Sequence, residues 1–174
     1  MKTITQCFTI LTLLFSCTLP ASELVSEAQI RSVMAATDAA ATKRDVERLG
    51  QYLSENFARY IELPMDKWDA AFRLDKDKYL DMVRRGWQVA DDYSYERTDT
   101  VVYLSSDRLG GKSNSTVTEI TVVNGKKFIS KFREYASYAM ENGRLVITTI
   151  EGHKLVGDTT PEPMLFSKQQ AQKN

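Results

Sequence analysis

The stretch that decides the fold is Thr121-Val122-Val123-Asn124-Gly125-Lys126-Lys127-Phe128, echoed at Glu141-Asn142-Gly143-Arg144. Asn-Gly tolerates the positive φ angles of a type I′ turn, so each pair reads as a two-residue hairpin loop. Such a loop fixes the register of the strands it joins. Outward from both corners the pattern has period two, which predicts strands over 115–123, 126–140 and 144–156. A long strand over 93–104 precedes them, with a polar middle at 97–100 where a bulge is expected, and 105–114 reads as a loop.

The two corners make cross-strand partners countable. From Asn124-Gly125, Thr121 faces Phe128, Glu119 faces Ser130 and Val117 faces Phe132. From Asn142-Gly143, Tyr138 faces Ile147, Ala136 faces Thr149, Glu134 faces Glu151 and Phe132 faces His153. One face then carries Val117, Phe128, Phe132, Tyr138, Ile147 and Thr149 together with Glu119, Glu134, Glu151 and His153. It holds the larger aromatics and no mid-strand Lys or Arg, so it is expected to be the inner face. The other face sets Ile129, Tyr135 and Ile150 among Lys, Arg and Thr. It is expected to be solvated or to form a subunit interface.

That register opposes Glu134 and Glu151 on the inner face. Like charges at a cross-strand pair repel, and burial disfavours ionisation further. Either one carboxyl keeps a proton or a cation meets them, and His153 stands two residues from Glu151 to supply one. Titratable groups with separated pKa values in a dry site are what acid–base chemistry requires. Glu134, Glu151 and His153 are therefore the catalytic candidates. Glu119, Phe128, Phe132, Tyr138 and Ile147 are the pocket-lining ones. The competing expectation is structural: carboxylates at a wet rim, or paired with a helix arginine such as Arg73 or Arg84.

Before the sheet, helical spacing governs. Ser26 and Gln29 fit a capping box for a helix over 26–43, with Ile30, Val33, Met34 and Thr37 on one face. Asp45 caps a short second helix with Val46, Leu49 and Leu53 buried, closed by 54–56. A strand over 57–63 is stopped by Pro64, and 65–74 reads as irregular. Asp75 or Asp77 caps a third helix reaching about Ala90, with Tyr79, Leu80, Val83 and Trp87 on one side.

The chain begins Met1-Lys2, then runs apolar and uncharged from Cys7 to Leu19, then Pro20-Ala21-Ser22. That order predicts a secretory signal peptide, residues 1–21, cleaved after Ala21. A lipoprotein signal at Cys17 is the alternative, with Phe15 a poor fit. The run is too short for a spanning helix, which needs roughly 20 residues. A periplasmic or secreted protein without a transmembrane segment is expected. Both cysteines, Cys7 and Cys17, fall in the leader, so the mature chain is expected to use neither a disulfide nor a thiolate. About 150 residues suffice for one domain, 22–156, followed by a loosely ordered tail, 157–174, with Pro161, Pro163 and a Gln/Lys-rich end.

Twenty-three basic residues balance 23 acidic ones. No long basic run exists, so nucleic acid is not an expected partner. His153 is the only histidine. No zinc spacing surrounds it, and neither a metal nor an organic cofactor is expected, although Glu119, Glu134, Glu151 and His153 are the one set of donors to consider. Gly110-Gly111-Lys112-Ser113 lacks the upstream glycine of a phosphate loop and precedes a strand rather than a helix.

Two helices, a short strand, a third helix, then long antiparallel strands with tight turns: this order resembles the nuclear transport factor 2-like superfamily, its SnoaL-like and ketosteroid isomerase-like members included. The local likeness lies in Thr42-Lys43-Arg44-Asp45-Val46-Glu47-Arg48-Leu49 and in Tyr138-Ala139-Met140-Glu141-Asn142-Gly143-Arg144-Leu145-Val146-Ile147. The resemblance implies an α+β cone, or α+β barrel, in which three N-terminal helices pack on a strongly curved antiparallel sheet around a pocket. It also implies a homodimer through the outer sheet face. Members span ketosteroid isomerase, scytalone dehydratase, SnoaL-type cyclases and domains with no chemistry, so fold alone does not assign activity. The leading expectation is a domain that holds a small, partly apolar molecule in the cone. The alternatives are a cofactor-free lyase, isomerase or cyclase using the same carboxylates, and a non-catalytic interaction domain of an envelope complex.

Overall fold

A computed structural model describes residues 24–65 and 68–157. The expected leader (1–21), with Cys7 and Cys17, and all but the first residue of the expected tail (157–174) lie outside the described residues.

Each helix starts where a capping side chain can satisfy its free N–H groups. Helix α1 (Glu27–Thr42) opens on the expected box: Gln29 N–H donates to Ser26 Oγ at 3.2 Å, and Ser26 N–H donates to Gln29 Oε1 at 2.7 Å. Asp45 accepts from Arg48 N–H at 2.9 Å to start α2 (Val46–Gln51). Asp75 accepts from Lys78 N–H at 3.0 Å to start α3 (Lys76–Val89). Helix α2 ends sooner than its pattern implies, because Leu53 already belongs to a strand and pairs with Ile147.

Six strands form one sheet in the order β2-β1-β6-β5-β4-β3. They are β1 (Leu53–Met65), β2 (Trp68–Asp75), β3 (Asp92–Leu104), β4 (Gly110–Val123), β5 (Lys126–Glu141) and β6 (Arg144–Gly157). Neighbours run antiparallel except β1 and β6, which run parallel. Residues 65–74, read as irregular, largely form β2 against β1, in register from Ala58↔Asp75 to Met65↔Trp68. Pro64 does not stop β1. The ladder to β6 ends at Ile61, so the proline stands where the strand is paired on one side only, a place that tolerates a missing N–H. Strand β4 begins at Gly110, inside the expected loop. At Gly111 a Cβ would fall 2.6 Å from the Tyr103 carbonyl oxygen, so glycine lets β3 and β4 stay close to their ends.

Val25, Ile30, Val33 and Met34 pack onto Leu53, Phe57, Ala136, Tyr138, Ile147 and Ile150. Burial of each large apolar side chain in this cluster contributes about 1.5–3 kcal/mol.

Both Asn-Gly corners adopt the expected left-handed backbone, with φ of 52° and 71° at Asn124-Gly125 and 51° and 74° at Asn142-Gly143. The β4–β5 register runs unbroken from Val123↔Lys126 to Gly110↔Ala139, as counted. The β5–β6 register holds only to Tyr138↔Ile147. It then shifts by one residue, giving Ser137↔Thr149, Ala136↔Ile150, Tyr135↔Glu151 and Glu134↔Gly152. That register runs to Phe132↔Lys154, and a second shift beyond it gives Lys131↔Val156. In β3 the bulge expected at 97–100 falls between Thr98 and Val101, with Asp99 at φ 50°.

The bulge at Thr148 corrects the facing of everything after it. Thr149, Glu151 and His153 turn to the outer side with Ser137, Tyr135 and Arg133. Ile150 turns inward and is 6% exposed. The physical reason is the comparison of two alignments. An unbroken ladder would bury Glu151 beside Glu134 and expose Ile150. Burying an extra carboxylate costs several kcal/mol, whereas burying an isoleucine contributes about 1.5–3 kcal/mol.

Candidate functional site

The inner face still gathers ionisable groups, but not the trio expected. Glu134 projects inward from the middle of β5 and is 7% exposed. Glu151 lies exposed on the other side, and His153 meets the ring of Tyr135 edge-on with centroids 5.4 Å apart. The expected carboxylate pair does not form.

The partners of Glu134 are two strand arginines, Arg97 of β3 and Arg59 of β1. The arginines expected from a helix are elsewhere: Arg73 lies exposed on strand β2, and Arg84 of α3 pairs with Glu47 at 3.3 Å. Arg97 reaches inward just before the β3 bulge. Its Nη1 donates to Glu134 Oε1 at 2.8 Å, its Nη2 to the Tyr95 hydroxyl at 2.6 Å, and its Nε to both oxygens of Asp38 at 3.0 Å. Asp38 stands on α1 one turn after Met34, beside the helix's buried stripe, so the cluster ties α1 to β3 and β5. All three guanidinium nitrogens are engaged. One cation cannot neutralise two carboxylates, however, and Asp38 has its pKa raised by burial even with Arg97 opposing.

Arg59 supplies the second positive charge. Its Nη1 lies 3.6 Å from Glu134 Oε2, and its guanidinium carbon sits 5.8 Å from the centroid of Phe132. This Nη1 is buried and makes no hydrogen bond among the described residues. Gly152 makes room for it: a Cβ there would fall 2.8 Å from Arg59 Nη2. The Thr148 bulge is what turns Gly152, rather than Glu151, toward this arginine.

A third carboxyl, Glu119, faces inward from β4 as the register predicts. The Tyr93 hydroxyl donates to its Oε1 at 3.0 Å, and Tyr93 in turn packs on Trp87 of α3 at 5.8 Å between ring centroids. Burial raises the pKa of Glu119. The Tyr93 hydrogen bond and the charge of Arg59 oppose that rise without cancelling it. Tyr79 of α3, packed on Phe57, is pushed up to about 12 by burial. Tyr138, bonded to Ser113 at 3.0 Å, is likewise pushed up to about 12 by burial. These hydroxyls stay protonated at neutral pH and act as donors or acceptors, not as bases.

Exposure is graded along the inner face. Val117, Glu134, Ala136, Tyr138 and Ile147 are buried, whereas Tyr93, Tyr95, Glu119, Phe128 and Phe132 are only half-buried. The expected lining residues divide accordingly: Glu119, Phe128 and Phe132 are half-buried, and Tyr138 and Ile147 belong to the buried core. Two surface depressions, about 370 and 320 Å³, lie elsewhere, one beneath the second hairpin around Lys76 and Arg144, the other between Arg44 and Trp87.

Among the described residues no three His, Cys, Asp or Glu side chains converge to hold a metal ion. The donor set considered from sequence is split between the two sheet faces. No helix among the described residues is long and apolar enough to cross a membrane.

The sequence matches no protein-family model and no curated protein. Solved structures do resemble it. A protein provisionally described as a scytalone dehydratase from Novosphingobium aromaticivorans superposes with a TM-score of 0.63 at 13% identity, over 75% of this chain and 85% of that one. A type 2 hexachlorocyclohexane dehydrochlorinase (LinA) gives 0.62 at 12%, over 75% and 86%. An uncharacterised protein with a cystatin-like fold from Caulobacter vibrioides gives 0.61 at 10%, over 74% and 89%. The chain thus has the α+β cone fold of the nuclear transport factor 2-like superfamily.

Proposed function

We propose that the protein binds a small, partly apolar molecule in its cone, with Phe128 and Phe132 as apolar wall and Arg59 and Glu119 as the polar contacts. The observation that carries this reading is the buried, unbonded Nη1 of Arg59. A buried donor without an acceptor costs on the order of 1–3 kcal/mol, and such groups are rare unless something meets them. It stands beside the half-buried ring of Phe132, with half-buried Phe128 and Tyr93 on the same inner face, the composition expected of a ligand site. NMR titration of the labelled protein with a fragment collection tests it. Shifts should gather at Arg59, Tyr93, Glu119, Phe128 and Phe132. Shifts confined to the outer face around Ile129 and Tyr135, or none, would refute it.

A second reading is favoured by Glu119 itself. A carboxyl with a raised pKa, hydrogen-bonded by a tyrosine in a partly dry cone, fits a general acid or base for a cofactor-free elimination or isomerisation. The structural neighbours include proteins described as a dehydratase and a dehydrochlorinase. Glu119→Gln should then fold and bind ligand yet lose turnover. Unchanged turnover removes Glu119 from the chemistry.

The basic-apolar-small order of residues 1–21 supports export to the periplasm or beyond, which N-terminal sequencing of the mature protein would establish. The exposed outer-face side chains Tyr103, Ile129, Tyr135 and Leu155 support a homodimer, to be read from sedimentation.

A further inference from the structure

Charge accounting inside the cone narrows the ligand. Asp38 and Glu134 carry two negative charges, and Arg97, bonded to both, supplies one positive charge. The second comes from Arg59, 3.6 Å from the free oxygen of Glu134. The charge of Arg59 is therefore already engaged, while its Nη1 makes no hydrogen bond, the Glu134 oxygen standing beyond bonding distance at 3.6 Å. Those two facts have different consequences for a ligand. An anion at this N–H would compete with Glu134 and leave the cluster one negative charge in excess, out of bulk water, where an uncompensated ion is costly. A cation would face the guanidinium directly. A neutral oxygen acceptor completes the hydrogen bond and leaves the balance untouched.

Glu119 is held by a neutral group. Among the described residues no Lys, Arg or His lies within salt-bridge distance of it, and its hydrogen-bond partner is a neutral tyrosine hydroxyl. Burial raises its pKa above the ordinary carboxyl value, and the Tyr93 hydroxyl already occupies one of its oxygens.

Resting on the cone-binding reading above, we infer that the cone selects an uncharged ligand whose carbonyl-type oxygen, on an apolar frame, accepts from Arg59 Nη1 with Phe132 alongside. The frame packs against the Phe128 and Phe132 rings. Selection at Arg59 comes from exclusion as much as attraction, since an anion there competes with Glu134 and a cation faces the guanidinium.

Three probes with one ring and different charge test this: acetophenone, benzoate and benzylammonium, titrated into the full mature chain with chemical shifts as the readout. Acetophenone should bind about tenfold tighter than either ion, the discrimination a single buried charge mismatch supplies at the least. Arg59→Met alone leaves Glu134 short of a partner and is liable to unfold. The charge-balanced Arg59→Met/Glu134→Gln variant avoids that, and it should fold and lose the acetophenone site by about the same factor. Benzoate or benzylammonium binding in the cone as well as acetophenone overturns the inference and leaves the cone-binding reading standing. So does acetophenone binding that survives in the double variant. If no probe moves any inner-face resonance, the cone-binding reading fails and this inference with it.

Discussion

Two hairpins in this chain start from the same dipeptide and end differently. Asn124-Gly125 and Asn142-Gly143 share a backbone conformation within a few degrees. From the first, β4 and β5 stay in the counted register to their far ends. From the second, β5 and β6 hold to Tyr138↔Ile147, then lose a step at Thr148. A tight turn therefore dictates register only as far as the first bulge. Beyond it, burial preference decides, because one residue of slip exchanges the whole inward set for the outward one. In β4–β5 the counted register already puts Val117, Phe128 and Phe132 inside, so nothing is gained by slipping. In β6 it would leave Ile150 outside and bring Glu151 in.

Deleting Thr148 tests that account most severely. The ladder would run straight, Ile150 would leave the core, and Glu151 would enter beside Glu134 where Gly152 now admits Arg59. Loss of a buried isoleucine plus an uncompensated buried carboxylate is worth on the order of 4 kcal/mol or more. In urea melts the variant should lose most of its stability or its cooperative transition. A variant as stable as the parent would mean that the bulge is incidental. Gly152→Ala asks a smaller question at the same place. The new methyl meets Arg59 Nη2 at 2.8 Å, so the arginine must retreat from Glu134. A cost of about 1–3 kcal/mol is expected, typical of overpacking. The same methyl added at Gly86 on α3, where nothing lies within 4 Å of it, should cost far less, since no charged group is displaced.

The difference between the hairpins also explains what could be read from the sequence. The caps at Ser26, Asp45 and Asp75, the β3 bulge, both turns and the inward facing of Glu119, Phe132 and Glu134 follow from local chemistry that the sequence states directly. The inward turn of Ile150 does not follow from alternation. Its signal is the three-residue spacing Ile147 to Ile150, where a plain strand would place inner apolar residues two or four apart, followed by a glycine at 152. The arginines were illegible for another reason. Arg97 sits in a polar segment that reads as a solvated strand middle, and Arg59 in a strand whose neighbour β6 arrives parallel from 90 residues away. Nothing local marks either as a partner of Glu134. Only the assembled sheet does, so the site's carboxylate was found and its counter-charges were not.

Two glutamates, one on each hairpin, give the finest comparison. Glu119 lies on a strand whose register held and is carried inside. Glu151 lies past the slip and is carried outside. The folded pKa of Glu119 is raised by burial above its ordinary value of 4.5, so the folded state holds that proton more tightly than the unfolded chain. Unfolding then releases a proton, and stability falls as pH rises from about 4.5 through the folded pKa, being greatest below that window. Asp38, raised by burial from 3.8, adds a decline of the same sign, so the informative quantity is the difference between parent and variant. Glu119→Gln cannot ionise. Its stability relative to the parent should therefore climb across the window and level off above it, as read from urea midpoints taken at half-unit pH steps. A parent-minus-variant curve that is flat, or that slopes the other way, would mean that Glu119 is not held in a dry, protonated setting. Glu151→Gln, at an exposed position with no described contact to the inner cluster, should change stability at pH 7 by less than about 0.5 kcal/mol. A larger loss there would show that the slip at Thr148 is not complete in solution and that part of the population still carries Glu151 inward.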